Sequence, residues 1–191
     1  MYKRQGLGGG SSNAASVLIA INKIFNLGLS KKKLIDLALI LGSDVPIFVH
    51  GKSSIATGRG EIFKKVSLVE NPVLVIIPNS KVSTKLAFEN FNNIKTINYS
   101  NKKNFNSFEN WIRKNFSEID EIFNFIQNYN DAHLSGTGSA IYSMFNNFEE
   151  AQKIIDNAPS NMNCFLTTTL NNSPIEDLSL IHISEPTRRI L

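Results

Sequence analysis

The stretch Gly6-Leu7-Gly8-Gly9-Gly10-Ser11-Ser12-Asn13-Ala14-Ala15 constrains this chain more than any other, because it runs straight into an apolar-periodic segment. Glycine lets the backbone turn tightly and approach a ligand closely, with no Cβ in the way. A helix start offers unpaired N–H groups and the positive end of the macrodipole. Together these make an anion site, and phosphate is the usual anion. A flexible loop capped by Ser12 or Asn13 is the plain alternative. Four glycines set against a helix start favour the phosphate cradle. A Walker A loop is excluded, since it ends in Gly-Lys-Ser/Thr and no lysine follows Gly10 before Lys23. A dinucleotide fingerprint starting at Gly6 fails at its third glycine, which is Ser11, and lacks the flanking strands and acid it needs.

With 191 residues, the chain can hold one domain or two small ones around a real core. The single Cys164 excludes an internal disulfide, and no secretory or transmembrane segment is visible, which implies a reducing, cytoplasmic setting. The formal charge of +4 invites a nucleic-acid reading until the ends are inspected. Met1-Tyr2-Lys3-Arg4-Gln5 is what GTG-TAT-AAG-AGA-CAG encodes with GTG as start codon, one strand of a transposon mosaic-end adapter used in sequencing libraries. Leu178-Ser179-Leu180-Ile181-His182-Ile183-Ser184-Glu185-Pro186-Thr187-Arg188 matches the opposite reading, CTG-TCT-CTT-ATA-CAC-ATC with its priming tail. Residues 1–5 and 178–191 are therefore expected to be translated adapter, and ordinary coding sequence at both ends of the nucleotide record would refute this. Those ends hold Lys3, Arg4, Arg188 and Arg189 against Glu185, so the rest is close to neutral. Basicity is then no argument for nucleic acid or an anionic membrane.

After the glycines, Val17, Leu18, Ile21, Ile24 and Phe25 recur at helical spacing, predicting a helix over Ser12–Asn26. Ser30 is placed to cap a second helix through Leu41, burying Leu34, Ile35, Ala38 and Leu41, with Gly42 as its stop. Lys31 to Lys33 read as a solvated run. Short strands are expected at Ile47–His50, Ser54–Thr57 and Glu61–Val66, with Gly58-Arg59-Gly60 as a hairpin turn. His50 has no metal or triad partner at ligand spacing. Pro72–Ile77 is an apolar run typical of a buried strand, and Ser83-Thr84 caps a helix to about Phe91. A polar loop follows over Asn92–Asn106, then helices at Phe108–Lys114 and Glu118–Asn128, the latter facing Ile119, Ile122, Phe123 and Ile126 inward. Strands at Ala132–Ser135 and Ala140–Phe145, a helix at Phe148–Asn157 and a strand at Cys164–Thr169 complete the chain. With paired helices counted as one layer element, the order is β-α-β-β-α-β, the split βαβ or ferredoxin-like arrangement. The class is α+β.

Three segments in order carry a resemblance: Gly6–Ala15, Leu41-Gly42-Ser43-Asp44-Val45-Pro46-Ile47-Phe48, and Leu134-Ser135-Gly136-Thr137-Gly138-Ser139-Ala140. Alone, Asp44 could cap a helical turn and the Gly136-Thr137-Gly138 step could be a hairpin. In combination they resemble the GHMP small-molecule kinases, over essentially all of Gly6–Asp177. Ser83-Thr84-Lys85-Leu86-Ala87-Phe88 is similar to that family's Ser-Thr-(x)3-Phe segment, and the Gly58-x-Gly60-Glu61 turn and Asn172-Ser173-Pro174 also resemble it.

The resemblance implies a two-domain fold, with a partial N-terminal ATP-binding domain over 6–66 and a ferredoxin-like C-terminal domain over 71–177. It implies ATP, with Mg2+, as cofactor. It also implies a small-molecule substrate, 4-diphosphocytidyl-2-C-methyl-D-erythritol, phosphorylated at its 2-hydroxyl in non-mevalonate isoprenoid synthesis. Gly6, Leu7, Gly8, Gly9, Gly10, Ser11, Ser12 and Asn13 would hold the ATP phosphates, through loop backbone, the amides of Ser11–Asn13 and the serine hydroxyls. Asp44 would take the proton from the accepting hydroxyl. Thr84, Phe88, Gly136, Thr137 and Gly138 would bind substrate, Phe88 by stacking on cytosine unless it packs in the core. No dedicated metal cage is visible.

The family's first motif, with its catalytic lysine and cytidine-binding aromatic and histidine, precedes the phosphate loop, and Lys3 is not assigned its role. The chain as written is therefore expected to lack kinase activity and to expose apolar surface. Homoserine or mevalonate kinase is the nearest rival. An RNA-binding ferredoxin-like module is a distant one, lacking a basic-aromatic strand; Tyr142 and Phe145, three apart, fall on opposite strand faces. No membrane partner is expected, and the sequence carries no signal for an oligomeric state.

Overall fold

The structure is a computed structural model that describes residues 6–90 and 106–177. Two compact units are present: residues 6–8 with Glu70–Thr169, and Gly9–Val69 with 170–177. Thus the glycine run is divided between them, and the last described residues lie with the earlier part of the chain.

The helical unit opens with α1 (Gly9–Ile24), which takes in Gly9 and Gly10 as well as the residues expected from Ser12 onward. A helical backbone is open to glycine at a cost of about 1 kcal/mol each against alanine, and the following residues outweigh that. Ser30 caps α2 (Lys31–Leu41) by accepting from the Lys33 amide at 3.3 Å, and Gly42 ends it with its N–H on Ala38 O at 3.1 Å. Leu34 and Ala38 are buried as expected, whereas Leu41 is 59% exposed.

Ile47–His50, expected as a strand, belongs instead to helix α3 (Val45–His50). Pro46 stands in the first turn, where its fixed φ suits a helix and its missing N–H is not needed. Val45, Pro46 and Val49 then share the buried face, and Gly51 in the left-handed region (φ 70°) ends the helix. A short apolar run does not by itself distinguish these two states. His50 lies at the end of α3, its ring stacked on Phe63 at 4.3 Å. The hairpin pairs β1 (Ser54–Thr57) with β2 (Ile62–Lys65), Thr57 opposite Ile62.

Ala15, Leu34, Ala38, Val45 and Val49 form the core of this unit, joining α1, α2 and α3. Val17, Ile21 and Ile24 of α1 and Ile40 of α2 remain exposed.

The other unit is built on a four-stranded sheet of order β4-β5-β3-β6, every neighbouring pair antiparallel: β3 (Pro72–Ile77), β4 (His133–Leu134), β5 (Ile141–Met144) and β6 (Asn163–Thr168). Helices α4 (Thr84–Glu89), α5 (Glu109–Asn115) and α6 (Ser117–Gln127) connect β3 to β4, and α7 (Phe148–Asp156) connects β5 to β6. That is the split βαβ arrangement, and the class is α+β. β3 contributes fully buried Leu74 and Ile76. Helix α6 adds the predicted face of Ile119, Ile122, Phe123 and Ile126, joined by Ile112 and Ile154. Of the polar loop expected over Asn92–Asn106, only Asn106 lies within the described residues.

Candidate active site

In the sheet unit, the loop from Ser135 to Ser139 joins β4 to β5 and is closed by its own backbone: the Ser135 amide donates to Ala140 O at 2.9 Å, and the Gly138 amide to Ser135 O at 2.9 Å. Gly136 (φ 57°) and Gly138 (φ 83°) take left-handed conformations that side chains disfavour. Gly6 (φ 76°) is docked on this loop. The Ser135 hydroxyl donates to Gly6 O at 2.8 Å, and a Cβ added at Gly6 would fall inside the Ser135 carbonyl. The first glycine of the opening segment and the third motif, 129 residues apart, are thereby brought together.

Thr84 and Thr137 meet hydroxyl to hydroxyl at 3.3 Å. Phe88 is 58% exposed, so core packing does not account for it, and its ring meets Phe108 edge-on at 5.1 Å.

Two further side chains organise these segments. Asn106 Nδ2 donates to Leu134 O at 2.9 Å and to Gly136 O at 2.8 Å, while its Oδ1 accepts from the Phe108 amide at 2.9 Å. Glu118, at the start of α6, accepts from the amides of Asn79 (2.8 Å) and Ser80 (2.7 Å) and from both side chains. Burial pushes the Glu118 carboxyl up, but these hydrogen bonds together outweigh it and hold the group below the ordinary carboxylate value. The segment leading to Thr84 and Phe88 is tied down by this carboxylate.

In the helical unit, Gly9 and Gly10 open α1, and a Cβ added at either would meet none of the described residues within 4 Å. Packing against the described residues therefore does not explain these glycines. Since α1 begins at Gly9, the amides without a helical partner are those of Gly8 to Ser11. The amides of Ser12 and Asn13, expected to face a phosphate, pair back into the helix and leave only their side chains for a ligand.

Asp44 stands at the N-cap position of α3 with φ −89° and ψ −7°, exposed and making no side-chain cap hydrogen bond. Its carboxylate is thus not consumed by the helix it precedes. Ala15, two residues after Asn13, and Val45, directly after Asp44, share one core, which sets the starts of α1 and α3 in one packed unit. Gly60 (φ 108°) of the hairpin turn lies so close to Ser43 that a Cβ would enter the Ser43 carbonyl. The turn, which by itself reads as a hairpin and also resembles the family's, buttresses the residue before Asp44.

Asn106 and Glu118 carry no motif that marks them as parts of the site, and Gly60 belongs to a turn that resembles the family's. Asn106-x-x-Glu109 has the form of a capping signal before a helix, and it is the only local trace of Asn106. Among the described residues, no group of three or more His, Cys, Asp or Glu side chains could hold a metal ion, and no helix is long and apolar enough to cross a membrane.

The family model described as GHMP kinases N terminal domain matches residues 3–52, and that described as GHMP kinases C terminal matches residues 85–164. A 4-diphosphocytidyl-2-C-methyl-D-erythritol kinase from Wigglesworthia glossinidia brevipalpis is 40% identical over 91% of this chain and 59% of its own length. Kinases of the same name from Psychromonas ingrahamii (34%; 91% of this chain and 63% of the relative) and Buchnera aphidicola (37%; 89% and 60%) are also similar. The chain thus spans about three fifths of the length of the curated relatives it matches. Among solved structures, a 4-(cytidine 5'-diphospho)-2C-methyl-D-erythritol kinase superposes with a TM-score of 0.74 at 26% identity, covering 88% of this chain and 67% of that one. A homoserine kinase from Cytophaga hutchinsonii, at TM-score 0.57 and 17% identity over 91% of this chain and 68% of its own, shares the fold.

Proposed function

This chain belongs to the GHMP kinase family, and on that premise we propose that it serves to transfer a phosphoryl group from ATP to the 2-hydroxyl of 4-diphosphocytidyl-2-C-methyl-D-erythritol. The substrate is taken from the named relatives and the solved kinase. The observation that carries the phosphate site is that Gly9 and Gly10 stand in open space at the head of α1, where alanine would serve the helix better and fit as well. The close approach of a phosphate would give those two glycines a purpose that no described residue supplies.

ATP, when bound, supplies the phosphoryl group. Backbone from Gly6 through Leu7 and Gly8, the amides of Gly8 to Ser11, the Ser11 and Ser12 hydroxyls and the Asn13 side chain would hold its phosphates. Asp44 would orient the accepting hydroxyl and take its proton as oxygen bonds to phosphorus and the bond to the ADP oxygen breaks. Thr84, Gly136, Thr137 and Gly138 would receive the substrate, and the exposed ring of Phe88 would stack on its base. Magnesium would come with ATP. Among the described residues no group of three or more His, Cys, Asp or Glu side chains could hold it. A cytoplasmic setting fits the lone Cys164.

The test is a hybrid in which residues 6–177 replace the matching segment of the Wigglesworthia kinase, assayed for ADP release with the diphosphocytidyl substrate, homoserine and mevalonate. Turnover is expected with the first alone. Preference for either of the others, in a folded hybrid, would overturn the substrate assignment.

A further inference from the structure

Asn106 bonds at once to the carbonyls that flank Ser135 and to the amide of Phe108, whose ring meets Phe88. Its amide donates to the carbonyls on both sides of Ser135, those of Leu134 and Gly136, while its carbonyl oxygen accepts from the Phe108 amide. The three partners fix the amide orientation: two carbonyls can only accept and the peptide N–H can only donate. Gly136 begins the left-handed part of the loop, and a carbonyl there with no donor would be free to rotate with its peptide. Phe108, set by the same side chain, is the ring against which Phe88 leans. Thr137, which meets Thr84, is the next residue after the clamped Gly136 carbonyl.

We propose that Asn106 is a positioning residue: it holds the Gly136-Thr137-Gly138 loop and the Phe108–Phe88 pair in one arrangement, and so sets how the substrate, rather than ATP, is received. Its kinetic consequence rests on the kinase reading above; its structural consequence does not. Asn106→Asp separates the two halves of the side chain. The carboxylate keeps an acceptor for Phe108, at a helix start where negative charge is favoured. It loses both donors and places its charge against two carbonyls. Asn106→Ala loses all three bonds.

In the 191-residue chain, hydrogen exchange should show the Ser135 and Gly138 amides, both bonded within the loop, exchanging about tenfold faster in Asn106→Asp, with the amides of Ile112 in α5 and of Phe116 at its C-terminal cap unchanged. In the Wigglesworthia hybrid, Asn106→Asp should raise the substrate KM about tenfold while kcat and the ATP KM stay within about twofold. Asn106→Ala should add faster exchange in α5 to the same KM change. Unaltered exchange at Ser135 and Gly138 in Asn106→Asp would overturn the clamp, whatever the hybrid does. Faster exchange with an unchanged substrate KM, or with kcat and both KM values falling together with stability, would overturn the positioning role. A parent hybrid without turnover would instead count against the kinase reading, and the exchange result would still decide the clamp.

Discussion

In the sheet unit, Gly6 and the Gly136 loop are held by named polar bonds beside a core that includes Leu74, Ile112, Phe123 and Ile141. In the helical unit, Gly9 and Gly10 face open space on a core of Ala15, Leu34, Ala38, Val45 and Val49, with Val17, Ile21 and Ile40 exposed. The same residue type therefore does two jobs within one run. Gly6 is glycine because another part of the chain occupies the Cβ position; at Gly9 and Gly10 no described residue does. The first kind serves architecture, and the second is where the proposed phosphate site would need room.

The sharpest way to probe the helical side is Asp44→Asn in the kinase hybrid. Loss of a general base should lower kcat by about 10²–10⁴-fold, with an unchanged melting temperature because the carboxylate caps nothing. A large fall in stability would instead assign Asp44 to architecture. The contrast in cores is tested by denaturing the 191-residue chain. Phe123→Ala, in the fully buried cluster, should cost about 3–5 kcal/mol. Leu34→Ala, at the edge of the smaller core, should fall near the lower end of the range for such truncations, about 2 kcal/mol. A reversed order would break the comparison.

The glycines themselves come next in size. Gly6→Ala should destabilise by about 1–3 kcal/mol, from the left-handed φ and the collision with Ser135. Gly9→Ala should stabilise by up to about 1 kcal/mol yet abolish turnover in the hybrid. Equal effects from the two would remove the distinction between them.

The smallest effect concerns Glu118. Its folded-state pKa is depressed below the ordinary 4.5, so its contribution is full above that value and is lost as pH falls through the lowered one. Urea midpoints followed downward from pH 5 should decline in the parent, and Glu118→Gln should flatten that decline at a cost of about 1 kcal/mol near neutrality.

What could be read in the sequence was what local pattern controls. Ile119, Ile122, Phe123 and Ile126 announced their buried face through helical spacing, and Ser30 with Gly42 bounded α2 through cap chemistry. Local pattern misleads where its signal is ambiguous. Val45–His50 is too short and apolar for its period to separate helix from strand, and Pro46 in the first turn decided it. Gly9 and Gly10 look like loop residues, yet their helical cost is small enough for their neighbours to override. Asn106 could not be read at all as a clamp, since its partners Leu134 and Gly136 lie 28 and 30 residues away. The motifs around Asp44 and Gly136 were legible as letters, while the contacts that hold them, from Gly60 onto Ser43 and from Ser135 onto Gly6, are tertiary.

If this glycine run and Asp44 serve phosphoryl transfer to a diphosphocytidyl sugar alcohol, phosphorus NMR of the hybrid's reaction with ATP and 4-diphosphocytidyl-2-C-methyl-D-erythritol should show it. A new phosphomonoester signal on the 2-hydroxyl is expected, growing in step with ADP and absent with Asp44→Asn. ADP appearing without a phosphorylated product, or the same product from Asp44→Asn at the parent rate, would contradict it.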